Sequence, residues 1–239
     1  PDPPPGRGEV RVRVAAAGVT RADSRIAAMD VPPGFGTILR LLVGWRGPRR
    51  PVRGSEFAGV VEALGPGAEG FAPGDRVMGL MGLGGGAQAE ALRIRADKLV
   101  VAAPATLSDA EAAAFFFGGL TALCLLVEGA GLRSGERLLV NGATGAVGSA
   151  ALQLARHAGA RVTAVCGAAN AALARELGAE EVLDHRAGSV RGEWDVVMDV
   201  AGTLPWPAAR ALLAPGGRLV PVTTRGLGAT LGATLRPRR

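Results

Sequence analysis

The chain has 239 residues, enough for one or two domains with a buried core. Its 48% apolar content suits a folded protein, and Gly, Pro or Arg interrupts every apolar run before it reaches the length of a membrane span. The formal charge of +6 comes from scattered arginines with Lys98 as the only lysine; the one cluster, Arg46, Arg49, Arg50 and Arg53, has no aromatic ladder beside it, which argues against a nucleic-acid partner.

The first hundred residues read as β-rich. EVRVRVAA at 9–16 alternates charged and apolar residues, as a half-buried strand does. EFAGVVEALG at 56–65 and DRVMGL at 75–80 are further strands, separated by Gly/Pro turns. The stretch 107–132 reads as helix, and Ser108 with Glu111 fits a capping box at its start. From Glu136 the pattern becomes strand–helix–strand. The strands are ERLLVN, RVTAVC, EVLDH, DVVMDV and GRLVPV; the helices between them are SAALQLARHA, AALAREL and PWPAARALL. This alternation predicts a doubly wound parallel sheet, so the fold class is α/β. The expected division is a β-rich domain over 1–105 and a nucleotide-binding domain over 106–239.

The stretch LLVNGATGAVGSAALQLA carries the clearest chemical signal. An apolar strand enters a glycine turn that opens a small-residue helix. The turn aligns as Ala143-x-Gly145-x-x-Gly148 or as Gly142-x-x-Gly145-x-x-Gly148. Gly145 lets backbone approach a pyrophosphate, and Gly148 lets the helix pack closely. The helix starting near Ala146 points free N–H groups and its positive dipole end at the phosphates. Ala143, Thr144, Gly145, Ala146, Val147 and Gly148 are therefore expected to bind a dinucleotide. The second strand ends at Cys166, where NAD sites usually place a carboxylate for the ribose hydroxyl. That favours NADPH, with NADH possible. Asn170 is placed to bond the ribose or its phosphate. His185, ending the third strand, either lies beside the adenine or faces solvent.

Cys124, Cys166, His157 and His185 are too few and too dispersed for structural zinc, and both cysteines read as buried free thiols. The chain has no tyrosine, which removes one common catalytic acid. No signal segment opens the chain, so a cytoplasmic location is expected.

The whole chain resembles the zinc-free quinone oxidoreductase branch of the medium-chain dehydrogenase/reductase family. The matching stretches are EVRVRVAAAGVTRAD, PVRGSEFAGVVEALGPGAEGFAPGDRVMG, LSDAEAAAFFFGGLTAL, GLRSGERLLVNGATGAVGSAALQLARHAGA, LGAEEVLDH and DVVMDVAGTLPWPAARALLAPGGRLVPV. The resemblance implies a GroES-like catalytic domain, a Rossmann domain, and a cleft between them where nicotinamide meets a small-molecule substrate. Zinc alcohol dehydrogenases of the family carry Cys and His where this chain has Thr20 and Ser55, and the third ligand region, AAAFFFGG, is phenylalanine. A hydroxyl and a phenyl ring do not replace thiolate and imidazole, so no metal is expected. Thr20 also stands where zinc-free relatives have Asn at the substrate site. Asp23 matches the family and either acts in catalysis or caps the local turn. Thr121 matches a position near the nicotinamide, and Val200, Ala201 and Gly202 match the strand end behind the ring.

These readings imply hydride transfer from NADPH to a quinone, enone or similar activated carbonyl compound, with the resulting anion protonated by solvent. The alternative is an NAD(P)H-binding pseudoenzyme or an inactive fragment of such a reductase. The family usually runs well beyond this length. The expected differences are a missing first strand, a missing sixth Rossmann strand and a missing closing segment, which leave the fifth strand as an exposed edge. Full-length relatives are expected to be homodimers. Neither a nucleic acid nor a membrane is expected as partner.

Overall fold

The computed structural model describes residues 4–28, 52–82 and 85–223. Arg46, Arg49 and Arg50 of the basic cluster, and the closing TLRPRR, lie outside the described residues. The chain divides into two compact units, Pro1–Phe116 and Phe117–Arg239.

Among the described residues, the first unit is a five-stranded antiparallel sheet with two short helices. Its elements are β1 (Glu9–Ala17), α1 (Arg21–Ala27), β2 (Glu56–Leu64), β3 (Arg76–Leu80), β4 (Ala91–Arg95), β5 (Val100–Ala102) and α2 (Asp109–Ala113). The strand order is β4-β1-β2-β3-β5. Val10 and Val12 of β1 point inward against Phe57, Val61, Val77, Leu92 and Ile94, as their alternation predicts. Register shifts between Arg11 and Val12, and between Val14 and Ala16, let β1 bend across its partner β2. The Arg76 guanidinium donates to Asp109 Oδ1 (2.7 Å) and to the Leu107 carbonyl (2.9 Å), holding the start of α2 against β3. The Ser108–Glu111 capping box forms as predicted. β4 and β5 were not read from the sequence: β5 has three residues, too few to establish a period, and β4 is held by its pairing with β1.

The stretch 107–132 is not one helix. α2 ends at Ala113 with Ala114 as its C-cap, and α3 (Phe115–Ala122) follows, continuing as a π-helical segment over Leu123–Gly129. Cys124 on that segment is exposed, correcting the expectation that both cysteines are buried; Cys166 is buried. The apolar neighbours of Cys124 in sequence misled, since a helix turns adjacent residues to different faces.

The second unit alternates strand and helix. Its elements are β6 (Arg137–Asn141), α4 (Ala146–His157), β7 (Arg161–Cys166), α5 (Ala171–Glu176), β8 (Glu181–Asp184), β9 (Trp194–Asp199), α6 (Trp206–Ala211) and β10 (Leu213–Pro221). The five described strands are parallel, in the order β10-β9-β6-β7-β8. Leu138, Val140, Val162, Ala164, Val196 and Met198 face one layer, against Val147, Ala151, Leu152 and Ala155 of α4. Leu139, Val165, Val197 and Leu212 fill the other face. A sheet covered on both sides explains why its strands read as unbroken apolar runs. Each fully buried Leu or Val contributes roughly 1.5–3 kcal/mol of burial. The doubly wound α/β expectation holds. The last strand begins earlier than GRLVPV, with Leu213 opposite Trp194 and a register shift before Arg218.

Strand order reverses between β6 and β9. The chain runs β6-β7-β8 in one direction and β9-β10 in the other. In open α/β sheets the crevice at such a switch point, outside the carboxyl ends of the strands, is where ligands bind.

Candidate cofactor site

The glycine turn lies at that switch point, directly after β6. Gly142 has φ +82°, a conformation that favours glycine, and its N–H donates to the Val165 carbonyl (3.0 Å). A Cβ on Gly148 would run into the Gly142 carbonyl and come within 2.7 Å of Ala143 backbone atoms. The helix can start this close to its turn only with glycine at 148. Gly145 differs: its φ is −80°, and an added Cβ would meet only the Gly142 carbonyl at 3.6 Å. Nothing in the fold requires glycine at 145, so the open space beside it is available to a ligand. Gly145 is also the N-cap of α4 and supplies no side-chain cap. The first-turn N–H groups of α4 are thus left without the side-chain acceptor that Ser108 gives α2.

The structure draws most of the expected cofactor residues around this turn. Asn170 Nδ2 donates to Thr144 Oγ1 at 3.3 Å, linking the segment after β7 to the turn. Cys166 is buried at the end of β7, and burial together with the charge of Asp184 pushes its thiol pKa up. His185 is exposed; its N–H donates to the Cys166 carbonyl (3.1 Å), and its ring lies beside Gly167. Asp184 follows Cys166 in register on the next strand, and its carboxylate accepts the Arg186 N–H (3.0 Å). On the other side, a Cβ on Gly142 would meet Ala201 N at 2.9 Å, so the segment after β9 rests on the turn. A Cβ on Gly118 of α3 would strike the Ala146 carbonyl, so α3, which carries half-buried Thr121, packs on the start of α4.

Two buried polar residues at the switch point were missed. Asn141 ends β6, Asp199 ends β9, and each is 6% exposed. Their side chains bond at 2.7 Å. Each reads in sequence as the polar end of an apolar strand, and nothing local pairs them.

Thr20 and Asp23 lie in the first unit, at the start of α1. Asp23 Oδ2 accepts from both the Thr20 N–H (2.8 Å) and the Thr20 hydroxyl (2.7 Å). Thr20 Oγ1 accepts the Asp23 N–H in return (3.2 Å). This is a reciprocal helix cap, the capping alternative considered for Asp23. It does not draw these residues towards any other described side chain.

The donors at the positions that resemble zinc ligands do not fit the metal. The Thr20 hydroxyl is committed to Asp23, Ser55 offers another hydroxyl, and the third region offers phenyl rings. Among the described residues no group of three His, Cys, Asp or Glu could hold a metal ion. No described helix is long and apolar enough to cross a membrane.

An antiparallel β unit followed by a doubly wound sheet, with a glycine turn at the switch point, is the architecture of dehydrogenases of the alcohol dehydrogenase type. Comparison with known proteins agrees in both halves. Residues 6–105 match the alcohol dehydrogenase GroES-like domain, and residues 146–234 match the zinc-binding dehydrogenase family. The chain is 33% identical over 238 residues to the chloroplastic quinone-oxidoreductase QR1 of Triphysaria versicolor, covering 93% of this chain and 68% of that protein. It is 34% identical to the chloroplast envelope quinone oxidoreductase homolog of Arabidopsis thaliana, with the same coverage. Among solved structures, the CurK enoyl reductase superposes with a TM-score of 0.77 at 28% identity, over 95% of this chain and 69% of that one. The chain belongs to the medium-chain dehydrogenase/reductase family, among its quinone oxidoreductase-like members. It is an oxidoreductase of that family, whose members use a nicotinamide cofactor.

Proposed function

We propose that the chain is a zinc-independent reductase that uses NADPH, with NADH as a poorer or equal substitute, to reduce a quinone, enone or similar activated carbonyl compound. The observation that carries this reading is the open Gly145 at the uncapped start of α4, set at the switch point. The residues present fit a dinucleotide. First-turn N–H groups of α4 would hold the pyrophosphate, Thr144 and Asn170 the adenosine ribose, and Val200, Ala201 and Gly202 the nicotinamide side. The bound cofactor would supply the hydride, and the chain would supply its orientation. Neither a zinc-type donor set nor a tyrosine is there to take a hydroxyl proton, which supports reduction over alcohol oxidation. Solvent can protonate the anion left after hydride addition. The names of the relatives, quinone oxidoreductases and an enoyl reductase, support the substrate class. A cytoplasmic location remains our reading, beside relatives named as chloroplastic.

One observation favours a second reading, an NAD(P)H-binding protein without turnover. The two catalytic candidates, Thr20 and Asp23, spend their side-chain hydrogen bonds on each other. Following NADPH and NADH oxidation against quinones, enones and aldehydes, alongside calorimetric cofactor binding, separates the two. Turnover with quinone or enone supports the reductase. Binding without turnover supports the second reading, and no binding overturns both.

A further inference from the structure

Two buried residues, Asn141 and Asp199, accept the backbone N–H groups of Val200, Ala201, Gly202 and Leu204 in the segment that follows β9. The Asn141 carbonyl accepts the N–H groups of Val200 (2.9 Å) and Ala201 (3.2 Å). Asp199 Oδ1 accepts the Gly202 N–H (2.9 Å), and Oδ2 accepts the Leu204 N–H (3.1 Å). Asn141 Nδ2 spends its two hydrogens on Asp199 Oδ1 (2.7 Å) and Thr203 Oγ1 (2.8 Å). Five consecutive residues, 200–204, are held through these two side chains and one carbonyl.

Burying a carboxylate is costly unless donors meet it, and well-packed apolar residues would close a sheet end at least as stably. What the carboxylate adds is a defined geometry. The segment it defines is also closely packed on both sides: Ala201 against Gly142 of the glycine turn, and Gly202 (φ +68°) against Thr223 Oγ1. By contrast, Thr144 and Asn170 bond each other, and His185 bonds the Cys166 carbonyl. None of these described bonds reaches Asn141 or Asp199.

We propose that Asn141 and Asp199 are positioning residues that hold 200–204 as a preformed wall for the nicotinamide half of the cofactor, with no part in holding the adenosine half. The inference rests on the cofactor reading above. The wall is built before the ligand arrives, so its ordering cost is met in folding rather than in binding.

The test compares two ligands on the full chain: NADPH, and adenosine 2′,5′-bisphosphate as the adenosine half alone. Calorimetry gives both affinities, and thermal unfolding is followed in parallel. Asp199→Asn removes the charged acceptor. Thr203→Val, at an exposed position, removes a single acceptor and keeps the fold safe if Asp199→Asn unfolds. Asp199→Asn is expected to weaken NADPH about tenfold, and Thr203→Val a few-fold, with bisphosphate affinity unchanged. Thr203→Ser should restore the parent value. Parallel loss of both ligands together with a fall in Tm means an ordinary structural role and overturns the proposal, as does unchanged NADPH affinity in both variants. A parent chain that binds neither ligand overturns the cofactor reading first, and this inference with it.

Discussion

Asn170 Nδ2 reaches Thr144 Oγ1 across 3.3 Å, joining the exit of β7 to the glycine turn after β6. The two strands are neighbours in the sheet, so this bond bridges the edge where an adenosine ribose would lie. Cys166 ends β7, at the position where a carboxylate would repel a 2′-phosphate.

Cofactor preference follows from that position. The parent should bind NADPH at least as well as NADH. Cys166→Asp should lower the NADPH-to-NADH affinity ratio about tenfold, because it sets negative charge against the 2′-phosphate. Calorimetry with both cofactors checks this. A parent that clearly prefers NADH would show the strand end has been misread.

Gly145 and Gly148 should respond differently to the same substitution. Gly145→Val has an allowed φ and room for a Cβ, so Tm should change little while NADPH affinity falls at least tenfold. Gly148→Val places atoms against the Gly142 carbonyl and Ala143 backbone, and should destabilise by about 1–3 kcal/mol or more. Cofactor titration and thermal melts of both variants decide it. Unchanged NADPH affinity in Gly145→Val would make the turn structural only.

Purified protein should contain no stoichiometric zinc, and a chelator should leave any reductase activity unchanged. The ground is the donor chemistry at Thr20 and Ser55 rather than an empty site. Elemental analysis showing one zinc per chain would overturn the argument.

Thr20→Ala should cost about 1 kcal/mol, the usual loss on removing an N-cap hydroxyl, and Thr20→Ser should restore it. Denaturant melts measure the stability. If Thr20→Ala abolishes turnover with stability intact, the residue works on substrate as well as on its helix.

The Glu136 carboxylate provides a pH test of the second unit. Burial draws its pKa up, but hydrogen bonds from the Arg218 guanidinium (2.6 Å) and the Arg133 N–H, with the charges of both arginines, outweigh this and leave it below the ordinary glutamate value. A folded-state pKa below the unfolded one stabilises above the unfolded pKa; that stability is lost as pH falls through the folded value. Glu136→Gln should therefore lower Tm by about 3 °C at neutral pH. The difference should shrink as the pH is taken below 4. A constant difference across that range would remove the ionic part of the argument.

Much of the nucleotide-binding unit was legible in advance, because its signals are local. β6, β7 and β9 are short apolar runs between helical patterns, and Gly142 and Gly148 stand where a side chain would not fit. The Ser108–Glu111 cap was readable for the same reason: both partners lie within one turn. β4 and β5 were not, since they are held by pairing with β1 and β3, partners that no local pattern names. The helix reading over 107–132 missed its breaks and the outward turn of Cys124, which depend on what packs around it.

The sequence by itself determined the class of sheet, the glycine turn with the strand end at Cys166, and the replacement of zinc donors by hydroxyls. Each is written in residue types at fixed local spacing. Only the tertiary structure decided that Asn141 and Asp199, 58 residues apart, would meet. Their meeting requires β9 to return beside β6 after two intervening strands, and strand order is set by how whole layers pack rather than by any local pattern.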